Sequence, residues 1–125
     1  MDKERFGIYL RKLRTDRNLT LTGLANLIGI TPYYISHMES GNKTNPDIKI
    51  IYNMFKAMKL NKEEIEQFLD LHAKANGCVS YDIVQYIMQN DEVRAAIRLE
   101  RDKADTVPNL DDFMTALTSE KDKRE

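Results

Sequence analysis

Two short helix-forming segments lie back to back between Thr20 and Gly41, and the residues that punctuate them restrict the fold more than any other feature. Thr20 is an N-capping residue type placed ahead of Leu24, Ala25, Leu27 and Ile28, and Gly29 tolerates the left-handed conformation that ends a helix. Thr31 is a second N-cap, and Pro32 stands at the first helical position, where its missing N–H costs nothing. The next helix is therefore predicted from Pro32 to about Ser40, ending at Gly41. The same pattern runs along the chain. Phe6, Tyr9, Leu10 and Leu13 share one face of a helix over about 5–17, closed by Asn18, which leaves Arg11 and Lys12 outside. Ile51, Met54, Phe55 and Met58 form a stripe after Pro46. Asn61 and Glu64 have capping-box spacing ahead of Ile65, Phe68, Leu69 and His72, in a helix that ends near Gly77. Strand-like alternation is absent, so the expected class is all-α.

Two short helices joined by a tight glycine turn make a helix-turn-helix, whose second helix can enter a DNA major groove. The surface of that helix sharpens the expectation. Ile35 and Met38 point one way, while Tyr33, Ser36, His37 and Ser40 occupy i, i+3, i+4, i+7 positions on another face, which is uncharged and wholly hydrogen-bonding. Base edges are read by such donors, acceptors and small apolar contacts.

The charge distribution points the same way. Residues 1–60 carry ten Lys/Arg against five Asp/Glu, and residues 61–125 carry nine against fifteen, which leaves a polyanion-facing front and an acidic back within a net charge of -1. No apolar run exceeds three residues, so a membrane span and a signal-peptide core are not expected. The single Cys78, with His37 and His72 as the only histidines, has no disulfide partner and no metal-ligand spacing, which fits a reducing cytoplasm. Neither a phosphate-binding glycine loop nor a nucleophile–base pair is visible, so the chain reads as a non-enzyme without cofactor or metal. His72 reads as a packing residue, and Glu63, Glu64, Glu66 and Asp70 as a solvated helix face.

The stretches Leu19-Thr20-Leu21-Thr22-Gly23-Leu24-Ala25, Gly29-Ile30-Thr31 and Tyr34-Ile35-Ser36-His37-Met38-Glu39-Ser40-Gly41 together resemble the signature of the phage-repressor-like XRE transcriptional regulators, over about Phe6 to Leu60. The resemblance implies a five-helix, lambda-repressor-like DNA-binding domain that works as a homodimer on a two-fold double-stranded DNA operator. By position it implies base reading by Pro32, Tyr33, Ser36 and His37. It places phosphate contacts at Thr20, Thr31, Ser40, Asn42, Lys43, Thr44 and Asn45, and a structural ion pair between Arg14 and Glu39. Leu21 departs from the family, where glutamine is common, and the reading helix carries no Arg, Lys, Gln or Asn for bidentate base pairing. Tyr33 against a thymine methyl and His37 donating to a guanine acceptor are the contacts left to it.

A DNA-binding domain over 1–77 is thus expected to precede a helical extension over 78–125. Ser80 opens a helix with Ile83, Val84, Ile87 and Met88, and Asn90-Asp91 separates it from one with Val93, Ala96, Ile97 and Glu100. After Pro108, residues Leu110, Phe113, Met114 and Leu117 repeat at helical spacing and are the dimerisation candidates; the alternative is docking on their own domain, and the final residues 119–125 are charged and expected to fray. The extension is also where a protein or peptide partner would act. The leading expectation is a cytoplasmic operator-binding repressor of a bacterium, phage or mobile element. The alternatives are an antitoxin that represses its own operon beside a toxin partner, and a protein-interaction module that kept the fold without DNA binding.

Overall fold

The computed structural model describes residues 1–103, and these form seven helices with no strand among the described residues. They are α1 (Asp2–Asp16), α2 (Leu21–Ile28), α3 (Pro32–Glu39), α4 (Ile48–Met58), α5 (Lys62–Asn76), α6 (Tyr81–Gln89) and α7 (Asp91–Lys103). The fold is all-α, as the periodicity required. The dimerisation candidates Leu110, Phe113, Met114 and Leu117 lie outside the described residues.

Local interactions explain the boundaries. The Thr20 hydroxyl accepts from Gly23 N at 2.9 Å, and Thr31 accepts from Tyr34 N at 3.1 Å, so each caps its helix as its residue type predicts. Gly29 ends α2 at φ 84°, a conformation that charges a side chain for its Cβ. Asn61 accepts from Glu64 N at 2.8 Å while Glu64 Oε1 accepts from Asn61 N at 3.0 Å, which completes the capping box of α5. α1 begins earlier than the apolar stripe predicted, at Asp2 rather than near Arg5. Its first turn carries no apolar signal, but Asp2 and Glu4 complement the positive end of the helix dipole.

The core is one cluster. Phe6, Leu10 and Leu13 of α1 meet Leu24 and Ala25 of α2, Ile35 and Met38 of α3, Ile51, Met54 and Met58 of α4, and Phe68 and Leu69 of α5. Phe68 stands edge-on to both Phe6 and Phe55, with ring centroids 5.2 and 5.1 Å apart. Arg17 ties three elements together: Nη2 donates to the Glu64 carboxylate at 2.7 and 2.9 Å, Nε to Met58 O at 2.6 Å, and Nη1 to Leu13 O at 3.0 Å. The Arg17 guanidinium and the Asn61 N–H hold the Glu64 carboxyl below its ordinary range.

The chain separates into two compact units, Met1–Gln85 and one beginning at Tyr86. The first runs past Gly77 because the Ser80 hydroxyl donates to Asp70 Oδ1 at 2.5 Å and the Tyr81 ring lies 5.2 Å from that of His72. In the second, Arg94 Nη1 donates to Ile87 O at 2.7 Å and Met88 O at 2.8 Å, closing the turn between α6 and α7. No residue of α6 or α7 is buried.

His72 is 2% exposed, against the Phe6 and Tyr81 rings, and its Nε2 is buried without a hydrogen-bond partner among the described residues. Burial disfavours the imidazolium and lowers the pKa from 6.5. The unfolded chain therefore binds the proton more readily. The stability owed to neutral His72 is fully present above pH 6.5 and is lost as pH falls from there through the lower folded value. Urea midpoints measured between pH 7.5 and 5 are expected to decline, and His72→Phe is expected to flatten that decline. An equally steep decline in the variant would assign it to other groups.

Candidate nucleic-acid interface

α2, the turn Gly29-Ile30-Thr31 and α3 form one continuous surface because their inner residues, Leu24, Ala25, Ile35 and Met38, are all locked in the core. What remains outward on α3 is Pro32, Tyr33 and Ser36, all exposed, and His37, half-buried. Tyr33 is 71% exposed and its ring stands 4.5 Å from that of His37 at 76°. α3 is joined to α1 from behind. Arg14 Nε and Nη2 donate to Glu39 Oε2 and Oε1 at 2.6 and 3.0 Å, and Nη1 donates to Leu19 O at 2.8 Å. This fork leaves the two side chains only 11% and 9% exposed, and the Glu39 hydrogen bond raises the guanidinium pKa further, so Arg14 stays charged.

The helix starts Thr20 and Thr31 are exposed, and each hydroxyl, although accepting a capping bond, still has its proton to give to an anion. Ser40 is exposed, but its hydroxyl donates to His37 O at 2.9 Å, so its proton is already used within α3. The loop after α3 folds back on the same carbonyl: Asn42 N and Lys43 N donate to His37 O at 3.0 and 3.1 Å. Asn42, Lys43 and Asn45 face outward, with Lys43 Nζ 5.7 Å from the centre of the Tyr34 ring.

Thr44, expected among the phosphate contacts, is buried where its neighbours are exposed. It is 9% exposed, its hydroxyl is 3.2 Å from Asn76 Oδ1, and Asn76 Nδ2 donates to Thr44 O at 2.7 Å. The residue fastens the loop to the end of α5. Sequence position carried no sign of this, because the partner lies 32 residues away.

Arg11 is the residue that sequence reading left out. With Arg14, Leu21, Ser36, Glu39 and Ser40 it lines a shallow groove of about 280 Å3 between α1, α2 and α3. Its side chain is exposed, which places a cation beside α3. The available signal was its spacing, three residues before Arg14 and so on the same face of α1. Leu21, where a polar residue would bridge to a phosphate, makes part of this groove wall apolar.

Among the described residues no group of three or more His, Cys, Asp or Glu could hold a metal ion, and no helix is long and apolar enough to cross a membrane. No curated protein and no solved structure matches the chain. A family model described as helix-turn-helix matches residues 10–65, a span that contains the Arg14–Glu39 fork, both capped helices, the loop and α4. Residues 10–65 therefore form a helix-turn-helix domain of the XRE type, the kind that DNA-binding transcription regulators carry.

Proposed function

We propose that this protein is a dimeric, sequence-specific repressor that occupies a two-fold operator and reads its major groove with α3. The observation that carries the reading is the outward face of α3, where Tyr33, Ser36 and His37 present hydrogen-bonding and ring surface beside two exposed, hydroxyl-capped helix starts. In this reading Pro32, Tyr33, Ser36 and His37 face base edges. Thr20, Thr31, Asn42, Lys43 and Asn45, joined by Arg11, hold phosphates, while the Ser40 hydroxyl proton stays on His37 O. A two-fold dimer sets the paired α3 helices about 34 Å apart, one turn of DNA. The uncharged reading face and Leu21 favour one competing reading, an interaction module that binds protein in place of DNA.

Selection from a random duplex library with the full chain, followed by anisotropy titration at several salt concentrations, tests this. The expected winner is palindromic, with a steep salt dependence and weak binding to scrambled DNA. Lys43→Ala is expected to weaken binding uniformly across sequences and to reduce the salt slope by about 1, the signature of one lost phosphate contact. An unchanged slope would remove Lys43 from the contact set. Absence of any enriched sequence at low salt would favour the interaction module.

A further inference from the structure

α3 must discriminate bases with little of the usual equipment. Its outward face has no side chain that can pair bidentately with guanine or adenine, and its most prominent feature is an aromatic ring. Resting on the DNA-binding reading above, we propose that Tyr33 and His37 act as one unit that recognises the 5-methyl group of a major-groove pyrimidine. Tyr33 touches the methyl, and His37 is the positioning residue.

Three observations lead there. Tyr33 and His37 sit four residues apart on one helix face, with ring centroids 4.5 Å apart at a near-perpendicular 76°, the edge-to-face arrangement that aromatic quadrupoles favour. The His37 backbone is held fast, because its carbonyl receives the Ser40 hydroxyl at 2.9 Å, Asn42 N at 3.0 Å and Lys43 N at 3.1 Å, and its side chain is half-buried. Tyr33, by contrast, projects its ring into solvent at 71% exposure. An exposed tyrosine ordinarily loses rotamer freedom when it binds; one packed edge-to-face on a half-buried imidazole has lost part of that freedom beforehand. Among the groups that base pairs show in the major groove, the apolar one is the pyrimidine 5-methyl, and an apolar ring surface is the complement it requires. The imidazole thereby serves Tyr33 and is not an independent donor to guanine. Thymine and 5-methylcytosine offer the same methyl, so cytosine methylation at such a position strengthens binding.

The test uses the full chain and its selected duplex, with each thymine replaced singly by deoxyuridine, which removes only the methyl. At one symmetry-related position the affinity is expected to fall about fourfold per half-site, the equivalent of one buried methyl-sized group. At that position a 5-methylcytosine–guanine pair is expected to bind more tightly than cytosine–guanine. Tyr33→Phe keeps the thymine preference, whereas Tyr33→Ala, at an exposed position that does not threaten folding, binds both duplexes equally. His37→Ala reduces the preference without changing the salt slope, and His37→Phe restores it. The proposal is overturned if every deoxyuridine duplex binds like its parent while scrambled DNA is still rejected, or if the preference survives intact in Tyr33→Ala. If no duplex is preferred over scrambled DNA, the DNA-binding reading itself fails and the proposal fails with it, a result distinct from the other two.

Discussion

Gly7→Ala is expected to destabilise the protein by about 3 kcal/mol, at the upper end of the cost of overpacking a core. Helix propensity alone predicts the opposite sign, since alanine in the interior of α1 should gain about 1 kcal/mol over glycine. The packing reverses it. A Cβ on Gly7 would stand 2.2 Å from Glu39 O, 2.6 Å from Glu39 C and 2.8 Å from Met38 O. All three are backbone atoms at the end of α3, and a backbone cannot rotate away as a side chain can. α1 and α3 would have to separate, and the Arg14–Glu39 fork would stretch with them. Denaturant unfolding of the variant, read at unchanged m-value, checks this, and a variant more stable than its parent would mean that α1 and α3 do not approach so closely.

The second large effect is expected at the fork itself. Glu39→Ala leaves the Arg14 guanidinium 11% exposed with Leu19 O as its remaining acceptor, and removing one partner of such a pair costs about 3 kcal/mol. Arg14→Met costs a similar amount for the converse reason, an isolated carboxylate. The double variant Arg14→Met with Glu39→Met is expected to recover most of the loss, because two apolar side chains of similar volume leave no charge to desolvate. A double-mutant cycle in urea measures the coupling. Single variants that each lose less than about 0.5 kcal/mol would place the pair among weak surface bridges.

How much of this was legible beforehand differs by residue. The caps Thr20, Thr31 and Asn61, the stop at Gly29, and Pro32 at the start of α3 were readable because each acts on backbone groups within four residues. The outward row on α3 was readable for the same reason, since helical geometry alone puts Tyr33 beside His37. The burial of Thr44 was not readable from its place in the loop, because its partner, Asn76, sits at the end of another helix. Glu64 is readable as the capping partner of Asn61 but not as the partner of Arg17, 47 residues away, which only the meeting of α1 and α5 brings to it.

By itself, then, the sequence determined the order of the helices, most of their ends and the composition of the outward face of α3, all consequences of interactions that a few neighbouring residues complete. Tertiary structure alone decided that Gly7 is a contact point, that Thr44 turns inward and that Arg17 joins three elements. Those outcomes depend on which helix faces meet and at what distance. That is set by the close packing of the whole core, to which no single segment holds the information.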